Sequence, residues 1–210
     1  MKKFVLATCV GIFALGAANA QEYKKFTADI GGGFTEPVGA PGRYLDLGWN
    51  VGGGVGYNFS QHAGVKLNLG FSSMGINSST LGAVGAPGGN VNMFSATIDP
   101  VVHVSPASSR VDFYLTGGGG LYHRYQNFTQ PTVVTTAEYL PFFGFFPVSF
   151  GANQVIASYT ETKPGFDVGA GVAMGGVGHG KFFMEAKWNH MFMNNGAHMD
   201  YIPVTFGFRF

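Results

Sequence analysis

Apolar and polar residues alternate with a period of two through most of this chain. The last such run, "YIPVTFGFRF", reaches the final residue. It sets Ile202, Val204, Phe206, Phe208 and Phe210 on one side against Pro203, Thr205, Gly207 and Arg209 on the other. Side chains of a β-strand point alternately to its two faces, so this pattern commits the chain to strands. No stretch carries a sustained 3.6-residue apolar repeat, and 34 glycines would weaken helices wherever they fell. The fold class is all-β.

Eight segments follow the alternation. Near 25–35, Phe26, Ala28, Ile30 and Phe34 share a face. Near 46–59 the set is Leu47, Trp49, Val51, Val55, Tyr57 and Phe59, and near 64–72 it is Val65, Leu67, Leu69 and Phe71. The fourth, near 92–104, is poorer, with Phe94, Ala96, Ile98, Val102 and Val104. Val111, Phe113, Leu115 and Leu121 mark a fifth near 111–124, and Phe166, Val168, Ala170, Val172 and Met174 a sixth near 164–174. The seventh, near 181–192, carries Phe182, Met184, Ala186, Trp188 and Phe192. The quoted run is the eighth.

Connections between segments alternate in length. Long ones cover about 36–45, 73–91, 125–163 and 193–200, whereas "SQHA", "SPASS" and "GGVGHG" are short. Long loops at one end and tight turns at the other describe an eight-stranded antiparallel up-and-down barrel. Pro100 and Pro203 fit poorly, because a closed barrel has no free edge for a residue without an N–H.

The polar face decides which way the barrel is turned. Its members are mostly Gly, Ser, Thr and Asn, and charged residues make up only 11% of the chain, too few for a good soluble surface. The charges that do occur share the polar parity: Asp29, Lys66, Asp99, Asp112, Asp167, Glu185, Lys187 and Arg209. A Lys or Arg facing the bilayer midplane costs about 2–4 kcal/mol, so these groups are expected inside, as a polar network filling the lumen. Trp49 and Trp188 fall near the long-loop ends of their segments, and Tyr57, Phe59, Phe208 and Phe210 near the short-turn ends, as two interfacial girdles would. The expectation is a transmembrane β-barrel with long extracellular loops and short periplasmic turns. A soluble barrel with an apolar pocket would reverse the two faces.

The N-terminus agrees with export. "MKK" is followed by the apolar "FVLATCVGIFALG" and by "ANA", the layout of a secretory signal peptide cut after Ala20. Residues 1–20 are expected to be removed, leaving one barrel domain over 21–210. Cys9, the single cysteine, goes with them, so no disulfide framework is expected. Taking Lys2 and Lys3 from the twelve basic residues leaves ten against eleven acidic ones, with no surplus to attract nucleic acid.

With its export signal, eight alternating segments, long loops against short turns and terminal "VTFGFRF", the chain resembles the small bacterial outer-membrane β-barrels of the OmpA/OmpX type. The resemblance implies a place in the outer membrane of a Gram-negative cell, in contact with its lipid. It also implies recognition by the barrel assembly machinery, with Phe206, Phe208 and Phe210 as the assembly signal.

Motifs for chemistry are weak. The glycine runs at 31–33, 52–54 and 117–120 continue neither as G-K-[ST] nor as GxGxxG, so close strand packing explains them and no cofactor is expected. His103 and Ser105 form an H-x-S pair similar to that of outer-membrane lipid A deacylases, but near a short turn and without an evident acid. His190, His198 and Asp200 flank the last long loop at a spacing that matches no known metal pattern, and no metal site is expected. The strongest hint is "EYLPFFGFFPVSF", where Phe142, Phe143, Phe145, Phe146 and Phe150 form a cluster that could meet an extracellular ligand or surface partner, or fold over the barrel mouth. The sequence thus points to a non-enzymatic barrel acting in envelope structure or surface interaction, with a narrow channel as the alternative.

Overall fold

The computed structural model describes residues 24–105, 111–140, 144–175 and 180–210; the expected signal segment 1–20 lies outside the described residues. Eight strands follow one another: β1 Phe26–Val38, β2 Gly48–Asn58, β3 Ala63–Gly75, β4 Gly88–His103, β5 Val111–Leu140, β6 Gly144–Met174, β7 Lys181–Phe192 and β8 His198–Arg209. Each pairs antiparallel with its sequence neighbours, and β8 pairs back onto β1, closing the barrel. The ring extends through the last residue. The N–H of Phe210 donates to Ala28 O at 2.7 Å and that of Ala28 to Phe210 O at 3.2 Å.

The alternation in sequence becomes alternation between lipid side and lumen. Ile30, Leu69, Ile98 and Leu121 on the outer face are 60–61% exposed, whereas Asp99 and Asp167 inside are 0% and 2% exposed. A soluble protein places these classes the other way round. The apolar exterior is bounded by two aromatic groups. Trp49 packs on Phe71 and Phe166 on Trp188 toward the long-loop end, and Phe26 on Tyr57 and Phe182 on Phe208 toward the other.

Both prolines are accommodated where a ladder is interrupted. Pro100 pairs with Val65 of β3, but on its other side the β4–β5 ladder passes from Ile98–Gly119 to Val101–Thr116. Pro203 pairs with Thr35 of β1, while the β7–β8 ladder skips from Ala186–Val204 to Asn189–Tyr201. Each missing N–H costs one side of the strand and leaves the other intact.

The main departure from expectation lies at 125–163, which was expected to be a loop. There β5 and β6 continue as a single antiparallel ribbon, paired from Val111–Met174 to Leu140–Gly144 with one register shift at Phe128/Thr129. Its far half is rich in Thr, Val, Phe and Tyr, residues that favour strands, and β4 and β7 stop well short of it. The 73–91 connection likewise contains strand and a short helix, Ser78–Val84, whose Asn77 cap accepts from the Thr80 N–H at 2.9 Å.

Candidate functional site

The lumen is built from inward-pointing residues of all eight strands and divides into layers along the barrel axis. Nearest the short turns, His103 Nδ1 lies 2.8 Å from Asp112 Oδ2. Asp112 faces inward and pairs with His103 in place of joining the larger network. Asp112 is also the acid that the sequence had not supplied for His103. Ser105, however, uses its Oγ to accept the Phe113 N–H at 3.0 Å, and no His103–Ser105 hydrogen bond is present among the described residues.

Above this pair, Lys66 lies 3.0 Å from Asp29 and 3.6 Å from Glu185, and Arg209 Nε lies 3.4 Å from Asp29. Tyr114 donates to Glu185 Oε2 at 2.9 Å. The Arg209 guanidinium also stacks 4.4 Å over the Tyr114 ring, a cation–π contact in a water-poor interior. Tyr114 can cross the lumen because its register partner is Gly171, where an added Cβ would overlap the phenol ring. The third layer centres on Lys187, 2.5 Å from Asp99 and 2.8 Å from Asp167, with Asn68 donating to Asp99. Tyr122 donates to Asp167 Oδ2 at 3.2 Å. Seven of the eight expected lumen charges thus lie in two adjoining layers, each buried charge facing an opposite one.

A polar cavity of about 70 Å³ lies among these groups, bordered by Asn50, Asn68, Thr97 and Thr205. It has room for a few waters at roughly 10–15 Å³ of probe volume each. Toward the extracellular end the lumen turns apolar. Met74, Met93, Met191 and Met199 pack with Ile76, Val91, Tyr122 and Tyr201 as one buried cluster. Sequence reading missed this layer, although the signal was present: methionines occupy the polar parity at the long-loop ends of four strands. Unbranched thioethers fill an irregular space well. Beyond the plug, Glu161 is buried 3.9 Å from Arg124 and 4.0 Å from Lys163, inside the segment expected to be loop.

On the outer side, His190, His198 and Asp200 do meet. Asp200 bridges the two rings, 2.6 Å from His190 Nδ1 and 3.3 Å from His198 Nε2. His190 also touches Phe166, Trp188 and Phe192. Among the described residues no group of three or more His, Cys, Asp or Glu is arranged to hold a metal ion.

The described residues of the phenylalanine stretch fall near the far end of the β5–β6 ribbon. Phe145, Phe146 and Phe150 belong to β6, while Phe142 and Phe143 lie outside the described residues. Phe145 is 74% exposed and packs against Tyr139, with ring centroids 5.4 Å apart. Val133 and Val155, of the same register parity as Tyr139 and Phe145, extend this exposed apolar face along the ribbon, while Tyr159 lies on the opposite face with Arg124 5.0 Å over its ring. Phe206, Phe208 and Phe210 all point outward, near one seam of the closed barrel.

Comparison with known proteins agrees with this geometry. Residues 5–210 match the family described as outer membrane protein beta-barrel domain. Among solved structures, Neisserial surface protein A superposes with a TM-score of 0.58 at 13% identity, over 90% of this chain and 98% of that one. Ail, the attachment invasion locus protein of Yersinia pestis, solved with a heparin analogue, gives 0.50 at 19% identity over 89% and 100%. At these identities the likeness is one of fold. No curated protein matches by sequence.

Proposed function

The chain belongs to the outer membrane protein β-barrel family and is an outer-membrane protein; from that premise we propose that it acts without catalysis, as an envelope barrel that meets a surface partner through its extracellular ribbon. The observation that carries this reading is the β5–β6 hairpin. It runs far beyond the strands flanking it and exposes Val133, Tyr139, Phe145 and Val155 on one face. A two-stranded ribbon in water gains little by exposing such residues, whereas a contact surface is enriched in them. Tyr139→Ser with Phe145→Ser tests it. Adhesion of cells bearing the barrel should fall while barrel stability in detergent holds. Unchanged adhesion, or lost stability with adhesion intact, rejects the contact role.

The polar cavity favours a second reading, a narrow channel for ions or small solutes. Against it stand the ion-pair layers around that cavity and the methionine plug beyond it. Planar-bilayer recordings separate the two: silence fits the plugged barrel, and stable single-channel steps fit the channel. Export by a cleaved signal over 1–20, and assembly through Phe206, Phe208 and Phe210, complete the proposal.

A further inference from the structure

Among the described residues the outer wall carries an apolar depression across β2 to β5. Two cross-strand rows define it. Val51, Phe71, Phe94 and His123 lie side by side on β2, β3, β4 and β5, and immediately below them Leu69, Ala96 and Leu121 lie side by side on β3, β4 and β5. All point outward. Ala96 is the only small side chain among these seven, and around it opens an apolar groove of about 440 Å³. That volume falls within the ~300–1,000 Å³ of small-molecule sites. Phe71 and Phe94, with ring centroids 4.6 Å apart, form its upper wall.

The two ends of the groove differ in chemistry. Its lower part faces the band where only hydrocarbon is available to fill it. Its upper end carries His123, which lies beyond Leu121 toward the extracellular side. The imidazole Nδ1 is held 2.7 Å from Thr162 Oγ1, so the ring is oriented by one nitrogen and its Nε2 is left for another partner. Trp49, packed against Phe71 with ring centroids 5.2 Å apart, places this edge at the level of the aromatic girdle, where lipid headgroups begin.

We propose that this groove binds one acyl chain of an outer-leaflet lipid, with His123 hydrogen-bonding a phosphate monoester of its headgroup, which a phosphodiester such as that of phosphatidylcholine does not offer. The occupant follows from position: the groove opens sideways on the bilayer, its floor is apolar, and its single polar group stands at headgroup height. Ordinary annular contact would treat all sides of the barrel alike, and a built site would not.

The two tryptophans provide the test, because Trp49 borders the groove on β2 and Trp188 reports on β7, well around the ring. Trp188→Phe leaves Trp49 as sole reporter, and Trp49→Phe leaves Trp188. Each is reconstituted in phosphatidylcholine vesicles with increasing phosphatidic acid brominated on its acyl chains. Quenching at Trp49 should reach half its limit at a mole fraction about three- to tenfold lower than at Trp188, the range the net gain of one ordinary hydrogen bond allows. Ala96→Phe fills the groove and His123→Ala removes the phosphate donor, and either should bring the Trp49 curve onto that of Trp188. Ala96→Leu serves as a milder filler, and heat-modifiable gel migration confirms that each variant is folded. Brominated diacylglycerol, which lacks the phosphate, should show no preference for Trp49. Coincident curves in the unaltered groove would mean annular contact only and overturn the proposal. A preference that survives His123→Ala would overturn the role given to the imidazole.

Discussion

Lys187 Nζ donates to Asp99 Oδ2 at 2.5 Å across the lumen, joining β7 to β4 through residues 88 apart in sequence. The same ammonium lies 2.8 Å from Asp167 of β6. One cation therefore answers two carboxylates that water scarcely reaches, and three strands depend on it.

Lys187→Met should leave Asp99 and Asp167 buried without a counter-charge. Breaking a buried pair by removing one partner costs about 3–5 kcal/mol. Urea unfolding in lipid vesicles should show a loss of that order. Adding Asp99→Asn and Asp167→Asn should recover most of it, since the orphaned charges go as well. A loss below about 1 kcal/mol, as for an exposed pair, would mean that the charges are hydrated.

Gly171 is the floor under the Tyr114 ring, and even a methyl group there overlaps it. Gly171→Ala should destabilise the barrel by about 1–3 kcal/mol, the usual cost of overpacking. Tyr114→Leu in the same chain should reduce that penalty, because the shorter side chain vacates the space. Additive costs in the double variant would show that the two residues do not press on one another.

Met191 and Met184 occupy the same strand on opposite faces, Met191 fully buried in the plug and Met184 42% exposed on the lipid side. Met191→Ala should cost about 2–5 kcal/mol, because the lumen cannot close over the gap. Met184→Ala should cost clearly less, since lipid tails can fill the space. Equal losses would contradict the assignment of faces.

Phe210 ties β8 to β1 through its backbone, while its side chain points outward. Phe210→Ser keeps both backbone bonds, so purified barrel should refold in detergent with little change in stability. In cells, outer-membrane levels should fall if the terminal aromatic is read during assembly. Normal levels would remove Phe210 from that role.

Much of the barrel was legible because one rule of period two acts in every strand: the same parity that exposes Leu69 and Leu121 buries Lys66 and Asp99. β7 was bounded from sequence at the residues it occupies. What escaped reading were features set by neighbours in space. The β5–β6 extension stays ordered as a ribbon by mutual pairing, and its Thr-rich stretch carries no lipid-facing pattern to announce it. Asp112 could be placed inside by parity, but its partner His103 depends on the β4–β5 register. The methionine plug required knowing that Met74, Met93, Met191 and Met199 converge from both walls at one height. Asp200 joins His190 and His198 only because β7 and β8 pair, a relation that linear spacing does not reveal.

The account depends most on which face meets the lipid. With Cys9→Ser as background, single cysteines at Leu67, Phe206, Asp99 and Glu185 can each carry a spin label in reconstituted bilayers. Collision with oxygen dissolved in hydrocarbon should be high at 67 and 206 and low at 99 and 185. High oxygen accessibility at 99 or 185, with protection at 67 and 206, would contradict the account outright.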